Sequence, residues 1–184
     1  MLKKVYKMKK QTIDWVFYPK NSVTPSFLKK TIGVFEDNAE KINSFENDNN
    51  KERLSSDEVL HIISDGLEGL KYRVEKSKKK SDKIRIPVLF GKRGLEELAF
   101  EADAYQPEFK TVIEVEAGRA FLNFQFLKDI FQASMMLETE YLVLAVRNIY
   151  TGTRDFEKIN NFLEAMYLTN KIKLDLKGIL LIGY

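Results

Sequence analysis

Two stretches in the middle of the chain, 98–105 and 111–117, alternate apolar and polar side chains with a period of two, and only five residues join them. Such alternation marks a β-strand with one covered face, and so short a connection predicts an antiparallel pair. In the first stretch Leu98, Phe100, Ala102 and Ala104 fall on one face, and Ala99, Glu101, Asp103 and Tyr105 on the other. In the second, Val112, Glu114 and Glu116 oppose Ile113, Val115 and Ala117. The acids Glu101, Asp103, Glu114 and Glu116 are therefore expected to converge, with no Lys or Arg among them. Like charges set opposite each other destabilise a sheet unless a cation neutralises them. An all-oxygen donor set predicts a hard divalent ion, Mg²⁺ with Mn²⁺ as its substitute.

The remaining pattern places this pair in a larger sheet. A short apolar element at 13–18 stops at Pro19, and a helix is expected at 26–35. The Asn-rich stretch 43–50 reads as a loop, which divides an N-terminal embellishment (1–50) from a core (51–184) within one compact unit. Ser55-Ser56-Asp57-Glu58 is a capping box, followed by Val59, Leu60, Ile63, Leu67 and Leu70 on one helical face. Strands at 71–75 and 84–90 flank a lysine loop at 76–83 in hairpin fashion. The stretch 120–137 reads as an amphipathic helix with Phe121, Phe124, Leu127, Ile130, Phe131 and Met135 as its apolar face. Its polar stripe is Gln125, Lys128, Asp129 and Gln132. Residues 121, 124, 126 and 131, all Phe, are expected in the core. An apolar strand at 141–146, a helix at 155–168 and a buried strand at 178–183 complete an α/β chain with a central mixed β-sheet flanked by helices on both sides.

Composition narrows the chemistry. The 184 residues include no Cys and one His, which leaves no thiolate zinc site, no thiol catalysis and no Ser-His-Asp triad to build beyond His61. No apolar run approaches the roughly 18 residues that span a bilayer, so no membrane role is expected and a cytoplasmic protein is the default. The net charge of +3 is unevenly spread: residues 71–93 carry ten basic and two acidic side chains, and residues 1–35 carry eight Lys and one Asp. Two basic stretches point to a polyanionic partner.

Asp103, followed eleven positions on by Glu114-Val115-Glu116, resembles the active-site pattern of the PD-(D/E)xK nuclease superfamily. The helix at 120–137 and the strand at 141–146 continue that superfamily's element order, so the resemblance covers about residues 57–184. The usual third residue is Lys; here it is Glu116, as in the minority of type II restriction endonucleases with Glu at this position. The resemblance implies a restriction-endonuclease-like fold and metal-dependent hydrolysis of phosphodiester bonds in double-stranded DNA. It implies Asp103 and Glu114 as metal ligands, with Glu116 as a further ligand or as the residue that orients the attacking water. Glu101 is a fourth candidate ligand, and Lys128 is the candidate to restore the positive charge that a motif Lys would bring.

Lys78, Lys79, Lys80, Lys83, Arg85 and Arg119 are the candidate phosphate contacts. Glu58, Glu68 and His61, on the helix before the sheet, are weaker candidates: capping explains Glu58, and solvent exposure and packing are the plain readings of the other two. Cutting both strands of a duplex at a fixed position calls for a homodimer. The competing reading is a catalytically silent nucleic-acid-binding or assembly protein of the same fold. A small-molecule phosphate-ester hydrolase is a third.

Overall fold

Strands covered on both faces run parallel, and three of them, two of which are aliphatic runs, make the centre of this molecule. The computed structural model describes residues 12–46, 48, 49 and 51–184, so residues 1–11 of the basic stretch 1–35 lie outside the described residues. The elements run β1 (Asp14–Tyr18), α1 (Ser26–Asp37), α2 (Ala39–Ile42), α3 (Ser56–Gly69), β2 (Arg73–Val74), β3 (Ile84–Phe90) and β4 (Glu96–Ala102). After these come β5 (Ala104–Gln106), β6 (Thr111–Glu116), α4 (Gln125–Met135), β7 (Tyr141–Val146), α5 (Asp155–Thr169) and β8 (Gly178–Gly183). A six-stranded mixed sheet has the order β1-β8-β7-β6-β5-β2, and β3 and β4 form a separate two-stranded arm. Strands β6, β7 and β8 are mutually parallel, whereas β1, β5 and β2 pair antiparallel to their neighbours.

Helices cover both faces. On one side α1 and α3 bury Leu28, Phe35, Ile63 and Leu67 against Ile113, Val115, Val143 and Leu180. On the other, α4 and α5 bury Phe126, Ile130, Ile159 and Leu163 against Val112, Leu142, Leu144 and Leu181. The segment expected as an N-terminal embellishment contributes β1 to the sheet edge and α1 to the first of these cores. Among the described residues no helix is long and apolar enough to cross a membrane.

Three local expectations are corrected. The 71–75 and 84–90 strands do not form a hairpin: β2 pairs with β5, and β3 pairs with β4. The expected strand 98–105 is two strands, because the chain bends at Asp103. Ala102 and Ala104 share parity, yet they enter opposite cores, so the bend carries the chain from the outer arm into the main sheet. Only the last part, β5, pairs antiparallel with β6. Finally, α4 starts at Gln125, because Asn123 and Phe124 adopt positive φ just before it. The helix is thereby turned about its axis: Phe126, Asp129, Ile130 and Ala133 are buried, while Phe124, Phe131 and Met135 are exposed.

The capping box at the start of α3 is present. Ser55 Oγ accepts the Glu58 N–H at 3.3 Å, and the Glu58 carboxylate accepts the Ser55 N–H at 2.7 Å. Removing such a cap costs about 1 kcal/mol. Ser55→Ala is accordingly expected to lower unfolding free energy by about that amount in urea titration; an unchanged midpoint would mean that the cap contributes nothing to α3.

Candidate active site

The site begins just before β5, where the β5–β6 ladder stops. Ala104, the first residue of β5, pairs with Ile113, and past Ile113 β6 has no ladder partner on this side among the described residues. Asp103 fills the gap: its carboxylate accepts the Val115 N–H at 2.8 Å, and its carbonyl accepts the Glu75 N–H at 2.8 Å. The bend thus fixes an acid beside the C-terminal end of a parallel strand, the end at which open α/β sheets place their ligands. Glu114 and Glu116 project from this end on the α4 side, as the alternation predicts, in register with Leu144 and Val146 of β7. Two further bonds fix the end of β6. Ser56 Oγ, in the first turn of α3, accepts the Ala117 N–H at 3.1 Å, and the buried Tyr184 hydroxyl donates to the Glu116 carbonyl at 3.1 Å.

These residues open onto a cleft of about 250 Å³ lined by Asp103, Glu114, Glu116, Asp129, Glu75 and Lys128, with Ser56, Asp57, Lys78, Lys83 and Glu101 around them. At roughly 30 Å³ per water, this volume holds several waters or a phosphate group. The acids line the cleft without closing on one point: among the described residues, no three His, Asp or Glu side chains form a ready-made metal cage.

Burial and mutual repulsion raise the acids. Asp103 is pushed up to about 6, by burial above all, with the Val115 N–H opposing. Glu114 is raised well above the ordinary carboxylate range, first by burial and then by the charges of Asp103, Asp129 and Glu116. Glu116 is raised by burial and by Asp129, whose carboxyl lies within hydrogen-bonding reach of its own; Asp129 is itself raised by burial. Lys128 opposes the rise at both Glu114 and Glu116, so its exposed amine acts on this cluster.

Of the candidate residues, Asp103, Glu114, Glu116 and Lys128 come together. Glu101 sits at the rim, where its carboxylate pairs with Lys83 at 3.1 Å. Lys78 and Lys83 also line the cleft but are held by acids: each reaches Glu75 at 2.9 Å, and Lys78 also reaches Asp57 at 2.8 Å. Lys79 and Lys80 are exposed on the adjoining loop. Arg85 lies on the outer arm, paired with Glu96 at 2.8 Å. Arg119, with positive φ, is exposed just past the acids. Glu58 is engaged in the cap, Glu68 pairs with Lys76 at 3.0 Å, and His61 is exposed beside a neighbouring groove.

Sequence reasoning missed Glu75, Asp57 and Asp129 as members of this cleft. Asp129 had a signal, since it lies three residues from Phe126 and four from Ala133, on their side of the helix. Glu75 had none, because its place depends on the β2–β5 pairing. Comparison with family models, curated proteins and solved structures finds no match to this chain.

A pH test follows from Asp103. Its folded value of about 6 lies above the ordinary 3.8, so the stability it contributes is full below about 3.8 and is lost as pH rises through 6. Asp103→Asn is expected to exceed the wild type by about 1–3 kcal/mol at pH 8 in chelator, with little difference near pH 4. Equal differences at both pH values, read by chemical denaturation, would contradict the buried-charge account.

Proposed function

We propose that this chain is a metal-dependent endonuclease of restriction-endonuclease-like fold that hydrolyses phosphodiester bonds of double-stranded DNA. The observation that carries the reading is the meeting of Asp103, Glu114 and Glu116 with lysines in one cleft at the end of β6. The fold reading rests on the antiparallel β5–β6 pair, the parallel β6–β7 pair and α4 crossing between them.

The donor chemistry suits a hard divalent ion, which would have to draw the carboxylates in, since no three of the described acids already converge on one point. Every candidate donor is a carboxylate oxygen, and among the described residues the buried Asp129 Oδ2 has no hydrogen-bond partner, so this oxygen would be satisfied by a positive species. Asp103 and Glu114 would hold Mg²⁺ or Mn²⁺, which supplies Lewis acidity and lowers the pKa of a bound water. Glu116 orients the attacking water and takes its proton at the carboxylate. Lys128 meets the charge that develops on the phosphate. Lys79, Lys80 and Arg119 contact the backbone on either side, where phosphate contacts position a duplex. The engagement of Lys78 and Lys83 by Glu75 makes them guardians of the cleft wall more than free phosphate clamps. For cleavage of both strands at one position, two copies act together as a homodimer.

Supercoiled plasmid incubated with the protein and Mg²⁺ or Mn²⁺ is expected to become linear, and chelator is expected to stop the reaction. Asp103→Asn is expected to lower cleavage at least a hundredfold while DNA affinity in Ca²⁺ stays within about threefold. Open-circle product alone would mean one active site per event and would remove the dimer. Retained, salt-dependent DNA binding without any cleavage would move the protein to the silent-binder reading.

A further inference from the structure

The side chain least explained by the fold is Asp129. It belongs to α4, it is 3% exposed, and it stands among Phe126, Ile130 and Ala133 on the face that packs against the sheet. Burying a carboxylate is costly unless its oxygens are satisfied. Among the described residues Oδ2 has no hydrogen-bond partner, and the Lys128 amine stands 3.9 Å from Oδ1, beyond hydrogen-bonding distance. The group that Asp129 does reach is the carboxyl of Glu116, which lies within hydrogen-bonding reach of it in the same cleft. Two facing carboxyls are held together only by a positive species between them, a proton or a cation.

The rest of the surroundings choose between these. Asp129 opens into the same cleft as Asp103 and Glu114. One proton can be shared by the Asp129–Glu116 pair, but four acids, Asp103, Glu114, Glu116 and Asp129, line the one cleft, and two of its lysines, Lys78 and Lys83, are engaged by Glu75. A divalent cation satisfies strand and helix acids together.

We propose that Asp129 is a ligand of the divalent cation, so that α4 contributes to a metal site otherwise built from β6 and the bend before β5. This rests on the reading of the cleft as a metal site. It gives the adjacent pair Lys128-Asp129 a division of labour: Asp129 faces inward to the ion, and Lys128 faces outward to the phosphate. It also makes the angle of α4, set by the positive-φ turn at Asn123 and Phe124, a determinant of metal affinity.

The test is Mn²⁺ binding to the full chain without DNA, read as loss of the free-ion electron paramagnetic resonance signal. Wild type is expected to bind Mn²⁺, and Asp129→Asn to bind it ten- to a hundredfold more weakly with an unchanged circular dichroism spectrum. Because the chain has no Cys, Asp129→Cys introduces its only thiol. Cd²⁺ is expected to give a thiolate-to-metal charge-transfer band with this variant at one equivalent, and adding Asp103→Asn is expected to abolish it. Asp129→Asn binding Mn²⁺ as wild type does, while Asp103→Asn does not, overturns the inference and leaves the metal site standing. Weakened binding in Asp129→Asn with no Cd²⁺ band in Asp129→Cys also overturns it, since the acid would then act through charge alone. A wild type that binds no Mn²⁺ overturns the inference and the metal reading together.

Discussion

The hydrogen bond from the Val115 N–H to the Asp103 carboxylate is the joint on which the rest of the site depends. It stands where the β5–β6 ladder has ended, and it substitutes a side-chain acceptor for the missing strand. One bond therefore does three things. It satisfies a backbone donor in the sheet, fixes the bend between the outer arm and the main sheet, and holds a carboxylate beside Glu114 and Glu116. A side chain that could not accept at this position would leave the Val115 N–H without its partner and take the nearest acid away from β6.

The cost of gathering acids is contained by what surrounds them. Strand β6 is anchored by Ile113 and Val115 in one core and Val112 in the other, so Glu114 and Glu116 cannot swing away by moving the backbone. On the outer wall Glu75 is almost fully enclosed, and its two oxygens take Lys78 and Lys83. That wall is electrically closed. The wall made by α4 is not, because among the described residues the buried Asp129 Oδ2 has no hydrogen-bond partner. The asymmetry gives the cleft a direction: its acid is paired on the side of β2, and one carboxylate oxygen is left unsatisfied between β6 and α4.

Much of this was legible in the sequence, and the parts that were not share a cause. Strands β7 and β8 and helix α5 were readable because apolar runs and amphipathic spacing are local signals. The capping box marked the start of α3 to the residue. Alternation alone assigned Glu114 and Glu116 to one face of β6. It failed at Asp103, because a period of two continues on paper through a bend that the chain takes in space, and Ala102 and Ala104 lie in different cores. The face of α4 was misjudged for a related reason: two residues at positive φ shift where the helix begins, and with it which side chains point inward. Glu75 reaches the cleft only through the pairing of β2 with β5, which no local pattern encodes.

The central claim is that the acids of β6, the Asp103 bend and α4 hold a divalent cation together. Anomalous X-ray scattering from crystals grown with Mn²⁺ addresses it most directly. The account predicts one Mn²⁺ peak in the cleft with carboxylate oxygens of Asp103, Glu114 and Asp129 at roughly 2.0–2.3 Å, typical of hard divalent ions with oxygen ligands. A cleft without an anomalous peak at millimolar Mn²⁺, with Asp129 and Glu116 still facing each other, would contradict it.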